Sequence, residues 1–186
     1  MARIEELAPE QMTPQQAEIW QEVISGRPSP AGPFNVWLRA PGMARWASRL
    51  GEQLRLHSTL DRRLSELAIL VGSRHWNCAA EWAIHEPFAR QAGLDPEVIT
   101  SINYKIEPEF EAADEAAVYA FCRQALEQTS VDDATYGRCL ELLGEEGMVE
   151  LTGIVGYYCL VALTLNVFQV PAPEGAAQEL SLRKAT

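Results

Sequence analysis

Residues 151–168, LTGIVGYYCLVALTLNVF, run eighteen positions without a charged side chain. A stretch of that length and polarity tolerates two environments, a bilayer or a protein interior. Thr152, Thr164, Asn166 and two glycines dilute its apolar character, and neither flank carries the clustered Lys or Arg that anchor a span. The segment therefore reads as a helix apolar on all sides, placed at a domain centre or a subunit contact rather than in a membrane. Any fold for this chain must wrap other elements around it.

The wrapping elements read as helices too, because no stretch alternates in polarity as a half-buried strand would. Thr13-Pro14 starts a helix that stops at Gly26, and Pro28, Pro30 and Pro33 keep the next stretch extended or turning. Residues 34–40 are an apolar element closed by Pro41-Gly42. Residues 43–57 predict a helix with Met43, Trp46, Leu50 and Leu54 on its inner face. Ser58-Thr59 supplies a break and an N-cap for a helix over 60–73, and Asn77 caps one running to Gln91, ended by Gly93. Asp95-Pro96 opens a short helix, 109–127 is acidic and amphipathic, Ser130 or Asp132 opens 133–143, and 147–168 is the apolar helix. The expectation is an all-α bundle of about seven to nine helices. Residues 1–33 form an N-terminal arm with one short helix, 34–170 the helical domain, and 171–186 a loose tail.

A formal net charge of −11 argues against a nucleic-acid backbone or an anionic membrane as partner. It leaves room for a small anionic substrate, because a local arginine overrides the global field. Arg39, Arg55, Arg62, Arg63 and Arg74 lie on or near the chemically richest segment. The four cysteines, Cys78, Cys122, Cys139 and Cys159, contain no CxxC pair, and the N-terminus has no secretory apolar core. Free thiols in a reducing cytoplasm are expected.

That segment is Glu66–His85, with Glu66, Cys78, Glu81 and His85 in the order Glu-x11-Cys-x2-Glu-x3-His. The spacing i, i+3, i+7 puts Cys78, Glu81 and His85 on one helical stripe among apolar neighbours. A thiol early in a helix gains from the N-terminal dipole, so Cys78 is expected to have a lowered pKa unless it is simply a buried apolar cysteine. Glu81 and His85 at i, i+4 form either a general acid–base pair or a surface pair that steadies the helix. Glu66 either takes a donor from His85 or Arg74, or lies on a solvent stripe with Arg62 and Arg63. A metal bound by Glu81 and His85, completed by Cys78, His75 or Glu66, is the weaker alternative, because the tight ligand pairings of zinc motifs are missing. The expectation is no metal and no cofactor.

The motif Glu66-x11-Cys78-x2-Glu81-x3-His85, followed by FARQAGL at 88–94, resembles the carboxymuconolactone decarboxylase and AhpD-like superfamily. LRAPGMARWASRLGEQLR, RRLSELAIL and ELTGIVGYYCLVALTLNVF extend the resemblance over most of the chain. It implies an all-α AhpD-like multi-helix bundle and a homo-oligomer, typically a trimer or hexamer. The peroxidase-like branch carries Cys-x2-Cys-x3-His; here Glu81 stands in place of the second Cys, so a two-cysteine cycle fails. The decarboxylase branch implies a cofactor-independent lyase or isomerase acting on a small unsaturated carboxylated lactone or acid from aromatic degradation. In that reading His85 moves the proton, Glu81 and Glu66 orient it, Cys78 lines the pocket, and Arg39 or Arg74 holds the substrate carboxylate. The alternatives are a one-Cys thiol-dependent hydroperoxide reductase using Cys78, and a non-catalytic oligomeric helical binding protein.

Overall fold

The computed structural model describes residues 2–25, 32–173 and 180–181. They form eight α-helices and one short 3-10 helix (Pro9–Gln11), and among the described residues there is no strand. The helices are α1 (Pro14–Ser25), α2 (Phe34–Trp37), α3 (Pro41–Leu56), α4 (Arg62–His75), α5 (Ala79–Gln91), α6 (Pro96–Tyr104), α7 (Ala113–Gln128) and α8 (Asp133–Phe168).

At the centre, α4 packs against α5, α6, α7 and α8. Every residue of α4 from Leu64 to Arg74 is buried, polar ones included. The uncharged stretch forms the second segment of α8, which buries Leu151, Ile154, Tyr157, Tyr158, Val161 and Leu165. By length and composition α8 would suffice to cross a membrane; in this fold it is the core helix instead. The two helices expected over 133–143 and 147–168 are one helix broken at Gly144, whose φ of 69° lies in the left-handed region that glycine adopts without strain.

Several local expectations give way to tertiary packing. Pro41 opens α3 at its first turn rather than closing the element before it. On α3 the large apolar residues face outward: Met43, Trp46 and Leu50 are exposed, and the buried side is Ala44, Ala47, Ser48, Gly51 and Leu54. The reason is proximity. A Cβ on Gly51 would fall 2.1 Å from the Tyr157 hydroxyl, and one on Gly153 would lie 3.1 Å from Leu54. The contact between α3 and α8 therefore selects the small side of α3.

Asp61, rather than Ser58-Thr59, caps α4 by accepting from the Arg63 N–H at 2.8 Å. Ser58 and Thr59 are drawn off by Glu150, whose carboxylate accepts from both hydroxyls and the Thr59 N–H. α4 also runs two residues past Ser73, to His75.

Described residues near both termini are tied to the body of the fold. Ile19 and Val23 of α1 enter the core. The Arg3 N–H donates to the Phe168 carbonyl at 2.8 Å, and its guanidinium donates to the Val167 carbonyl. In the tail, expected to be loose, Leu180 is buried and the Ser181 N–H donates to Asn103 Oδ1. Gly26, Pro28 and Pro30, and the remainder of the tail, lie outside the described residues.

Candidate active site

Helices α4 and α5 form a hairpin whose turn is Trp76, Asn77 and Cys78. Asn77 takes φ 49°, a left-handed conformation that asparagine tolerates, and the Cys78 N–H closes the turn on the Ser73 carbonyl at 2.9 Å. The N-cap of α5 is therefore Cys78 rather than Asn77. The hairpin sets the buried stripe of α5 against α4.

Across that contact His85 Nδ1 and Glu66 Oε2 are 2.7 Å apart, both side chains buried. The second oxygen of Glu66 accepts from Arg62 one turn earlier, at 2.8 Å. Glu66 thus takes its donor from His85 and not from Arg74, and it keeps the i−4 arginine while lying buried rather than on a solvent stripe. Burial pushes the Glu66 carboxyl up, but the charges of His85, Arg62 and Arg55 and the His85 hydrogen bond outweigh it, so its pKa falls below the ordinary value. An ionised Glu66 accepts a hydrogen bond from the Nδ1–H and leaves Nε2 as the chemically available nitrogen. The His85 ring stacks edge-on against Tyr158 at 5.0 Å and Phe88 at 6.1 Å, which fixes its plane.

Glu81 sits one turn before His85 and is 1 % exposed. Neither carboxyl oxygen has a hydrogen-bond partner. Burial raises its pKa well above the ordinary carboxyl value, so the protonated form is favoured. Glu81 and His85 line one small cavity of about 40 Å³ with Arg55, Ile84, Tyr157 and Tyr158. That is space on the order of one water molecule. The Arg55 and Arg62 guanidiniums lie 4.7 and 5.5 Å from the centre of the Phe88 ring, and of the two it is Arg55 that lines the cavity.

The other predicted residues fall elsewhere. Cys78 is fully buried, and its thiol is pushed up to about 12, by burial first and by Glu81 second. Backbone N–H groups of Glu81 and Ala80 act in the opposite direction and lose. The expected lowering by the helix N-terminus is thus corrected: the dipole is present, but burial decides the sign. Arg39 donates to Asn35 and to the Glu5 carbonyl on the N-terminal segment. Arg74 donates to Asn77 and lines a different pocket, against α6 and α7. The arginine that the fold brings to His85 is Arg55. It lies on a separate helix, and no spacing in the sequence links it to His85. Tyr158 was visible only as part of the apolar run. Among the described residues, no group of three or more His, Cys, Asp or Glu is arranged to hold a metal ion.

No family model and no curated protein matches the chain. Solved structures do. A protein of unknown function from Agrobacterium tumefaciens, described as an antioxidant defence protein AhpD, superposes with a TM-score of 0.66 at 17 % identity, covering 77 % of this chain and 99 % of its own. The apo debrominase Bmp8 matches with a TM-score of 0.71 at 12 % identity, covering 91 % of each chain. A cysteine-to-alanine variant of Bmp8 bound to 2,3,4-tribromopyrrole gives 0.72 at 11 % identity, covering 91 % of this chain and 90 % of its own. At these identities the likeness is one of fold. The chain has the AhpD-like all-α fold, as the motif around Glu66–His85 led one to expect.

Proposed function

We propose that the protein is a cofactor-independent lyase or isomerase that moves a proton on a small unsaturated, carboxylated lactone or acid, in the manner of a carboxymuconolactone decarboxylase. One observation carries this reading. Two carboxyl groups close to one histidine are driven in opposite directions, Glu66 toward the carboxylate and Glu81 toward the neutral acid. Such divergence separates a carboxylate that orients the imidazole from a neutral acid that can donate a hydrogen bond.

In an isomerisation, His85 Nε2 takes a proton from carbon next to the substrate carbonyl. The C–H electron pair moves into the carbonyl, and the resulting enolate oxygen accepts a hydrogen bond from protonated Glu81. The same proton returns from His85 to the far carbon of the conjugated system. In a decarboxylation, the C–C bond to the carboxylate breaks instead. Carbon dioxide leaves, its electron pair enters the conjugated carbonyl, and protonated His85 delivers a proton to carbon. Glu66, held by Arg62, stabilises the imidazolium in both cases. Arg55 is the group that would pair with the substrate carboxylate. The cavity admits only the reacting end of such a molecule, so entry displaces lining side chains.

The peroxide-reductase alternative requires Cys78 as a thiolate, and a fully buried thiol held near 12 does not favour it. The test is a panel of unsaturated carboxylated lactones and acids, followed by ultraviolet absorbance and by deuterium incorporation in heavy water. The proposal expects turnover or exchange that His85→Ala abolishes while circular dichroism stays unchanged. An unchanged rate in His85→Ala, or a panel left untouched by an enzyme that loses one thiol to a hydroperoxide, overturns it.

We also infer a homo-oligomer, a trimer or hexamer, residing in the cytoplasm. Met43, Trp46 and Leu50 on α3 and Leu160, Leu163 and Val167 on α8 are exposed apolar residues on two helices that pack together. A second copy of the chain is the partner that would cover them.

A further inference from the structure

Arg74 is 6 % exposed, yet among the described residues it makes no ion pair, and its Nε has no hydrogen-bond partner. Its one side-chain partner is the neutral amide of Asn77. A buried guanidinium without a counter-ion is costly, and burial accordingly lowers the Arg74 pKa. The group lines a pocket of about 180 Å³ between α4, α6 and α7.

The rest of the lining says what would fit. Val71, Ile102 and Leu126 give it an apolar wall. Lys105 adds a second cation, held at the end of α6 by a left-handed φ of 58°. Arg123 and Glu127 also line the pocket but neutralise each other at 2.6 Å. Lys105 and Arg74 therefore leave the pocket with excess positive charge in a chain of net charge −11. Apolar cavities of about 150 Å³ accept a benzene ring. Arg74 lies eight residues past Glu66 on α4, about 12 Å further along the axis, so this pocket is separate from the His85 cavity.

We propose that the pocket between α4, α6 and α7 binds a small organic carboxylate, its ring or short chain against Val71, Ile102 and Leu126 and its charge paired with Arg74 and Lys105. The site is independent of the reaction assigned to His85.

Benzoate serves as the probe, titrated into the full-length protein by calorimetry and followed by methyl NMR. Saturable binding is expected, with shifts concentrated at Val71, Ile102 and Leu126. Arg74→Met should weaken it on the order of ten- to a hundredfold. The same variant should melt higher than wild type without benzoate, because an unpaired buried charge has gone, and should gain less further stability than wild type at the same benzoate concentration. Lys105→Ala, at an exposed position, should weaken binding by a smaller factor. Benzamide, of the same shape without the charge, should bind poorly. His85→Ala should bind benzoate as wild type does. Equal affinity in Arg74→Met and wild type overturns the proposal, as do shifts confined to Ile84 and Val161 beside His85. An Arg74→Met protein of altered oligomeric mass, from a wild type that ignores benzoate, also overturns it, because a second copy then supplies the partner of Arg74.

Discussion

His85 Nδ1 and Glu66 Oε2 stand 2.7 Å apart across the contact between α4 and α5, nineteen residues apart in sequence, with Arg62 holding the other oxygen of the carboxylate. The relationship does two things. It ties the hairpin together through two buried side chains, and it leaves Nε2 outside the Glu66 contact.

Glu66→Gln keeps a hydrogen-bond acceptor but removes the charge that faces His85 and Arg62. A loss of about 1–3 kcal/mol in urea unfolding at pH 7 is expected. Because the native pKa of Glu66 is depressed, its contribution is present above the unfolded value of about 4.3 and is lost as pH falls through the native one. The wild-type advantage over Glu66→Gln should therefore shrink on acidification. Turnover should fall at least about tenfold, with the KM for substrate little changed.

Glu81 has the opposite sign. Its native pKa is raised, so protonation favours the folded state, and stability from this group is full below about 4.3 and declines as pH rises toward the native pKa. Glu81→Gln copies the protonated shape without a titratable proton. The variant should match wild type near pH 4 and exceed it at pH 8 in thermal unfolding. Its turnover should fall at every pH, because an amide donates a weaker hydrogen bond to an enolate than a carboxylic acid does. A variant that gains stability and keeps full activity would remove Glu81 from the chemistry.

Gly51→Ala drives a methyl into the Tyr157 hydroxyl, which would lie 2.1 Å from the new Cβ. Tyr157 is buried and lines the His85 cavity, so α3 and α8 must separate locally. A destabilisation of about 1–3 kcal/mol is expected, together with a changed KM. Gly42→Ala serves as the control, since nothing lies within 4 Å of a Cβ there.

Thiol chemistry separates the readings of Cys78. Cys78, Cys122 and Cys139 are buried and Cys159 is partly exposed, with its sulfur 3.2 Å from the Trp76 indole nitrogen. An aromatic disulfide reagent should modify one thiol per chain quickly in the native protein, and Cys159→Ser should abolish that phase. The other three should react only on unfolding. Fast labelling at Cys78 would return weight to hydroperoxide reduction.

Trp46→Glu and Leu163→Glu place charge on the exposed apolar faces of α3 and α8. Light scattering on eluting protein should report a smaller mass than wild type for both, with helicity retained. A wild type that is already monomeric would leave those faces without a copy to cover them.

Much of this was readable in the chain, and the exceptions have causes. The i, i+4 spacing of Glu81 and His85 was enough to put them on one face. Glu66 needed the hairpin, and its apolar neighbours announced that the turn of helix around it would be buried. What spacing does not carry is depth. The position of Cys78 at the start of α5 was legible, but the sign of its pKa depended on how much protein lies over it. Nor does spacing carry which of two apolar stripes faces inward. On α3 the larger one, Met43–Trp46–Leu50, read as core and lies outside, because Gly51 had to meet Tyr157. Arg39, Arg55 and Arg74 all lie on or near the segment in sequence, and only the packing of α3 selects Arg55 over the two first choices.

The bonds from Arg3 to the carbonyls of Val167 and Phe168 join nearly the whole length of the chain. During synthesis the partners of Arg3 emerge more than 160 residues after it. The aromatic wall of the cavity, Tyr157 and Tyr158, arrives equally late. Until then α4 exposes a face meant for α8, including the ionisable side chain of Glu66. The nascent protein thus holds part of the α4 surface uncovered until α8 arrives, and long-range closure of this kind is intrinsically slow. Its yield in a cell should therefore depend on chaperone supply and growth temperature more than the stability of the finished fold would imply.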